Sequence, residues 1–172
     1  NWVAAVDNVM DPMHGAFLHA VSHSMAKGDR QAKMRVDKTE TGFIFSKSDQ
    51  RDVNFDWIEW VDSGVFLLRV SPLPYRKEAG PGGPFGIIGF VTPIDEDNCR
   101  VFFWRTRKVK GWQRDVWRFM YRHRLETLHW DVLEQDRVLL EGLARDAREH
   151  ECLYQHDTGL ARARRLIEQE AE

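Results

Sequence analysis

The sequence predicts an α+β domain in which an antiparallel sheet wraps around a helix. Three observations carry that reading. The middle of the chain, from about residue 32 to 108, breaks into short runs of β-branched and aromatic residues separated by turn residues. Both ends repeat apolar residues at helical intervals. The order is helix, then a run of strands, then helix, which favours a sheet with its helices segregated rather than alternating βαβ units.

From Asn1 to about Ser24, Trp2, Val3, Val6, Val9, Met10, Met13, Phe17, Leu18 and Val21 recur at mixed helical spacing. Asp11-Pro12 lies inside this stretch. Proline fits only a first turn or a kink, so the helix should bend or restart there. Strands are expected at Ala32–Asp37, Gly42–Ser46, Val53–Trp60 and Gly64–Val70. The Pro- and Gly-rich stretch from Pro72 to Pro84 cannot sustain ladder hydrogen bonds and reads as a loop, either a gate over a pocket or a plain exposed connection. Phe85–Ile94 and Arg100–Lys108 form two more strands, joined by a hairpin over Asp95-Glu96-Asp97-Asn98. Beyond Gly111, Val116, Trp117, Met120, Leu128, Val132, Leu139 and Leu143 return to intervals of mostly three, four and seven, which predicts a long helix. A charged amphipathic helix over Gly159–Gln169 closes the chain.

A chain of 172 residues suits one domain with a sizeable core. The net charge of -2 provides no global basic field for nucleic acid, and the basic runs Arg105–Lys110 and Arg162–Arg165 read as solvated faces. Cys99 and Cys152 form no CxxC pair, so neither a disulfide framework nor a thiolate metal site is indicated, and a reducing, cytoplasmic setting is expected. No apolar run approaches the roughly 18 to 20 residues needed to span a bilayer. The chain opens on Asn1 with no leader pattern, which fits a piece of a longer polypeptide.

The segment "DNVMDPMHGAFLH" places two carboxylates, an asparagine and two histidines where a helix should be building core. Asn8, Asp11 and His14 follow one another at intervals of three and share a face. His14 and His19 are five apart, which turns them about 140° away from each other on an ideal α-helix, so convergence on one ion needs a kink or a π-bulge, and Gly15 makes either cheap. Two histidines and one carboxylate on one face of a metal, with the other positions open, is the donor set of non-haem Fe(II) sites that activate oxygen. The best placed third ligand is Asp136 in "VLEQDRVLLEGL", because Leu133 and Leu140 flank it on an apolar stripe where an unpaired carboxylate would be costly. Asp131 and Glu134 are its rivals. A zinc hydrolase would want a general-base glutamate in a His-Glu-x-x-His pattern, which is missing.

"NWVAAVDNVMDPMHGAFLH" resembles the Asn-x-x-Asp-x-x-His-x4-His signature of the catalytic domain of Rieske non-haem iron oxygenases, the aromatic-ring hydroxylating dioxygenases and related O-demethylases. "EQDRVLLEGL" resembles the segment where those enzymes supply their iron-binding aspartate, and "HDTGLARARRL" is similar to the tail of the phthalate- and vanillate-oxygenase branch. The resemblance covers both ends of the chain; the middle strands match only in kind. It implies a helix-grip fold, with a curved antiparallel sheet around a long C-terminal helix. It also implies His14, His19 and Asp136 as ligands of a mononuclear Fe(II). Asp11 would then link this site to the Rieske [2Fe-2S] cluster of a neighbouring subunit in a homotrimer, and Asn8 would stand in the second sphere.

O2, an aromatic substrate and NADH-derived electrons from a ferredoxin or reductase complete the expectation, with hydroxylation or oxidative demethylation as the outcome and an aromatic carboxylate as the favoured substrate. The chain lacks the Cys-x-His and Cys-x-x-His ligands of a Rieske cluster, so that domain is expected to precede Asn1. The alternative is a non-catalytic domain of the same fold that binds an apolar ligand. Such a carrier has no reason to gather His14, His19 and Asp136 on one cavity.

Overall fold

The computed structural model describes residues 1–20, 31–48, 57–61, 64–71 and 85–172. Helix α1 (Trp2–Met10) begins at Asn1, whose side-chain oxygen accepts from the Val3 backbone N–H at 2.8 Å. It ends at Asp11, which turns extended because a residue before proline is pushed out of the helical region. A second helix of one turn, α2 (Gly15–Leu18), follows. The single expected helix is therefore two, and its end beyond residue 20 lies outside the described residues.

Six strands form one antiparallel meander in the order β1-β2-β3-β4-β5-β6. They are β1 (Met34–Thr39), β2 (Gly42–Lys47), β3 (Trp57–Val61), β4 (Val65–Ser71), β5 (Phe85–Pro93) and β6 (Cys99–Thr106). The β5–β6 hairpin is tied by Asp95, whose Oδ1 accepts from the backbone N–H of Asp97 at 3.0 Å and of Asn98 at 2.7 Å, an aspartate turn. Residues 53–56 of the expected third strand, and the Pro72–Pro84 loop, fall outside the described residues.

Period-two alternation sends Phe43 and Phe45 of β2, Ile58 and Trp60 of β3 and Phe66 of β4 to one face, where they are buried. Val6 and Met10 of α1 and Ala163 of α5 (Thr158–Ala171) cover them, with Leu166 and Ile167 packed alongside. Gly159 lets α5 approach closely, since a Cβ there would stand 2.3 Å from the Phe45 ring.

The stretch read as one long helix is α3 (Gln113–Met120), a π-helical turn (Tyr121–Leu125) and α4 (Glu126–Glu141). A π turn carries an extra residue and rotates everything after it, so it resets which face of α4 turns inward. That face carries Leu128, His129, Val132, Leu133, Gln135, Asp136 and Leu140, all half-buried, and α4 buries no residue completely. The α+β architecture is the helix-grip type. Among the described residues no helix is long and apolar enough to cross a membrane.

The basic runs are not simply solvated faces. Arg164 is 11% exposed and grips Asp7 of α1 through Nε (2.9 Å) and Nη2 (2.6 Å) while Nη2 also reaches Glu151 at 2.8 Å. Arg105 is half-buried, and the Arg107 guanidinium lies 4.3 Å over the Trp117 ring. Guanidinium groups are weakly hydrated and stack on aromatic rings, so they leave water more readily than a charge count suggests.

Candidate metal centre

Helix α2 is the unit that places both imidazoles. His14 is its N-terminal cap and His19 its C-terminal cap. A one-turn helix leaves its ends free of ideal geometry, and His19 sits at φ -96°, ψ 30°, off the helical region. The 140° separation of a regular helix therefore never applies. The two rings lie 5.2 Å apart at 74°, and no π-bulge separates them.

Each ring is held by its Nδ1. His14 Nδ1–H donates to the backbone carbonyl of Asp11, and His19 Nδ1–H donates to Gln135 Oε1 at 2.9 Å. Committing Nδ1 as donor leaves Nε2 as the lone-pair nitrogen in each ring. Both Nε2 atoms then face the same oxygen, Asp136 Oδ1, at 3.6 Å from His14 and 3.2 Å from His19. One ligand atom from each of the three residues lies within 4.8 Å of the others.

The electrostatics of this arrangement ask for a cation. His19 is fully buried, and Asp136 is 16% exposed. Although closely opposed, His19 Nε2 and Asp136 Oδ1 are both shut off from solvent without an aligned hydrogen-bond partner. Two imidazole lone pairs and a carboxylate oxygen gathered without a positive charge would repel one another. Burial pulls the His19 pKa down, but the facing Asp136 carboxylate and the Gln135 oxygen more than offset it, so the net shift is upward. A proton or a divalent metal answers the same field, and two nitrogens with one oxygen suit a borderline transition metal ion. The residues fit the metal that the sequence resemblance implies.

The other sequence-derived candidates fall elsewhere. Asp131 is exposed, and Glu134 is exposed and bound by Arg137 on the outer face of α4, with Arg137 Nε 2.8 Å from Glu134 Oε2. Asp11 is half-buried and caps the turn after α1, its Oδ1 accepting from the Met13 N–H at 2.7 Å. Asn8 sits on the last turn of α1, and its backbone carbonyl accepts from the Asp11 N–H at 3.4 Å. Neither Asn8 nor Asp11 joins the cluster of ligand atoms among the described residues. Sequence reasoning missed Gln135. Its only signal was a polar residue next to Asp136 on a helix whose inward face was not yet known.

A family model described as the vanillate O-demethylase oxygenase C-terminal domain matches residues 1–172. No curated protein matches the chain. Among solved structures, that of the quaternary ammonium Rieske monooxygenase CntA in complex with an inhibitor superposes with a TM-score of 0.52 at 15% identity. The superposition covers 100% of this chain and 46% of that one, so the chain spans less than half that protein's length. At that identity the likeness shows the fold alone.

Proposed function

The chain belongs to the vanillate O-demethylase oxygenase C-terminal domain family, the catalytic end of a Rieske oxygenase, and from that premise we propose that His14, His19 and Asp136 hold a mononuclear Fe(II). The observation that carries this reading is the pair of facing buried atoms, His19 Nε2 and Asp136 Oδ1, left without aligned partners beside His14. When bound, the iron supplies activation of O2 for hydroxylation or oxidative O-demethylation of an aromatic compound.

The chain's own residues prepare that chemistry. Gln135 and the Asp11 carbonyl fix the tautomers and orientations of the two imidazoles. Asp136 supplies one negative charge, so a divalent ion keeps a single net positive charge in the site. The apolar inward face of α4, with Leu128, Val132, Leu133 and Leu140, keeps bulk water from the substrate side. The Asp11 carboxylate is the proposed bridge by which electrons from a Rieske [2Fe-2S] cluster of a neighbouring subunit reach the site, with Asn8 close by in a supporting role.

The rest of the reading follows from the same premise. The described chain is the catalytic half of a longer polypeptide whose Rieske domain precedes Asn1. That polypeptide forms a homotrimer, for which the exposed Trp104, Trp112, Phe119 and Trp130 provide apolar contact surface. It draws NADH-derived electrons through a ferredoxin or reductase and works in the cytoplasm, where free Cys99 and Cys152 stay reduced.

The test is iron content in the full-length protein. His14→Ala or Asp136→Ala should lose the mononuclear iron while keeping the visible spectrum of the Rieske cluster. Stoichiometric iron retained by both variants would overturn the ligand assignment.

A further inference from the structure

Basic charge is concentrated in one short stretch of the chain. Residues 105–124 hold eight lysines and arginines against one acid, Asp115, in a chain whose net charge is -2. Arg114, Arg118 and Arg122 follow one another at intervals of four along α3 and the π turn, and like charges one turn apart repel. Arg118 and Arg122 are exposed, and neither forms an ion pair with a described carboxylate. Such a ladder costs the free protein a little stability, and an anion would remove the cost.

The ladder lines a cavity. Between the edge strand β6 and α3 lies a groove of about 880 Å³, the size of a small-molecule site. Arg105 and Arg107 line its strand side, Arg114, Arg118 and Arg122 its helix side, and Glu126 is the one acid in the lining. Burial weighs against the charge of half-buried Arg105, and the Tyr121 side chain and Glu126 answer it only in part, so its pKa is lowered.

This groove is separate from the metal centre. None of His14, His19, Gln135 and Asp136 lines it, and Glu126, the first residue of α4, is the only one that helix contributes. Trp104 and Phe119, exposed rings of the proposed subunit contact, also line it, so the groove borders that contact. A ligand seated here does not compete with a substrate at the metal.

The wall sets the chemistry of the ligand. Five guanidinium groups against one carboxylate leave a surplus that a monoanion answers only in small part. An oligophosphate carries several charges on oxygens that arginine forks bind in pairs. Arg114 and Arg122 stand eight residues apart, ~12 Å along the axis, so a chain of two or three phosphates reaches more than one fork. The cations surround a concave space, which suits a compact polyanion better than the broad surface of an acidic protein. We propose that this groove is an additional binding site for a di- or triphosphate, held chiefly by Arg118 and Arg122. It depends on the groove alone and not on the oxygenase reading.

The test is calorimetry on the full-length protein at fixed ionic strength without magnesium. The probes are pyrophosphate, ADP, inorganic phosphate, citrate and a polyglutamate peptide. Pyrophosphate and ADP should bind with Kd below ~1 mM and about tenfold or more tightly than phosphate or citrate. ADP binding more tightly than pyrophosphate assigns a nucleotide, and equal affinities assign the phosphate chain alone; both support the site. Arg118→Gln combined with Arg122→Gln should weaken both ligands about tenfold or more at unchanged iron content. Arg118→Lys with Arg122→Lys keeps the charge and loses the forks, so it should recover only part of the loss.

Citrate binding as tightly as pyrophosphate would reduce the groove to a general basic field and overturn the proposal. So would undiminished affinity in the double glutamine variant, or no binding of either phosphate ligand. Polyglutamate displacing ADP at lower concentration than pyrophosphate does would assign the face to an acidic protein instead. His14→Ala keeps this site apart from the metal. Iron lost with pyrophosphate and ADP affinity retained supports both, and iron retained with that affinity intact sinks the metal assignment alone. Phosphate-ligand affinity lost together with the iron would place the ligand on the metal and overturn the groove.

Discussion

His19 Nδ1 donates to Gln135 Oε1 at 2.9 Å across 116 residues of sequence, and the next residue on the same helix, Asp136, faces the other nitrogen of that ring at 3.2 Å. One turn of α4 thus both orients the imidazole and confronts it. An outer partner that fixes tautomer and orientation governs metal affinity nearly as strongly as a ligand does. Gln135→Leu should therefore weaken Fe(II) or Co(II) binding roughly 10- to 100-fold in a chelator competition titration. Gln135→Glu, which keeps an acceptor at the same reach, should stay near wild type. Unchanged affinity in the leucine variant would show that the ring is held by packing alone.

Asp11 separates structure from charge. Its Oδ1 caps the Met13 N–H and its carbonyl holds His14, and asparagine keeps both acceptors. Asp11→Asn should retain full iron content and thermal stability yet lose nearly all steady-state turnover, because only the negative charge is removed from the proposed electron bridge. Wild-type turnover would remove Asp11 from that role.

Arg164 clamps α5 to α1, and α1 delivers the chain into the turn that carries His14 and His19. Removing a charge that answers the half-buried Asp7 and the exposed Glu151 leaves both unpaired, the first at the greater cost. Arg164→Ala should cost roughly 1 to 2 kcal/mol of stability, most of it from Asp7, read as a lower urea midpoint at unchanged slope. Asp7→Asn with Glu151→Gln in the Arg164→Ala background should recover much of that loss, since the stranded charges are then gone.

His129 sets a pH dependence with a definite sign. Burial first, and the positive charge of Arg105 second, lower its pKa from 6.5 to about 4. Between those values the unfolded chain binds the proton and the folded one does not, so stability is full above pH 6.5 and falls as pH drops toward 4. His129→Gln should flatten the stability profile in that window, as measured by chemical denaturation at half-unit pH steps.

Gly159 is a packing position. Phe45 is fully buried and cannot retreat from a Cβ placed 2.3 Å from its ring. Gly159→Ala should destabilise the protein by about 1 to 3 kcal/mol despite the better helix propensity of alanine, and Phe45→Leu should relieve part of the cost in the double variant.

Much was legible in the sequence because it is a local property. Alternation and turn residues marked the strands within a few positions, Asp11-Pro12 marked the break after α1, and the spacing of His14 and His19 with a distant carboxylate named the candidate ligands. What a periodicity cannot state is which way a helix is turned. Asp131, Glu134 and Asp136 all sit within two turns of α4, and only the packed helix separates the inward Asp136 from the outward pair.

The π turn at Tyr121–Leu125, invisible to apolar spacing, sets that rotation and also brings Tyr121 to Arg105 and His129. The same holds for charge. Residue types alone made Arg105 and Arg164 look like solvent-facing cations, while tertiary packing seats one in a cavity wall and the other between two carboxylates. Sequence determined the inventory of donors and their order along the chain. Tertiary structure decided which of them share a low-dielectric space, because desolvation and orientation depend on neighbours far away in sequence.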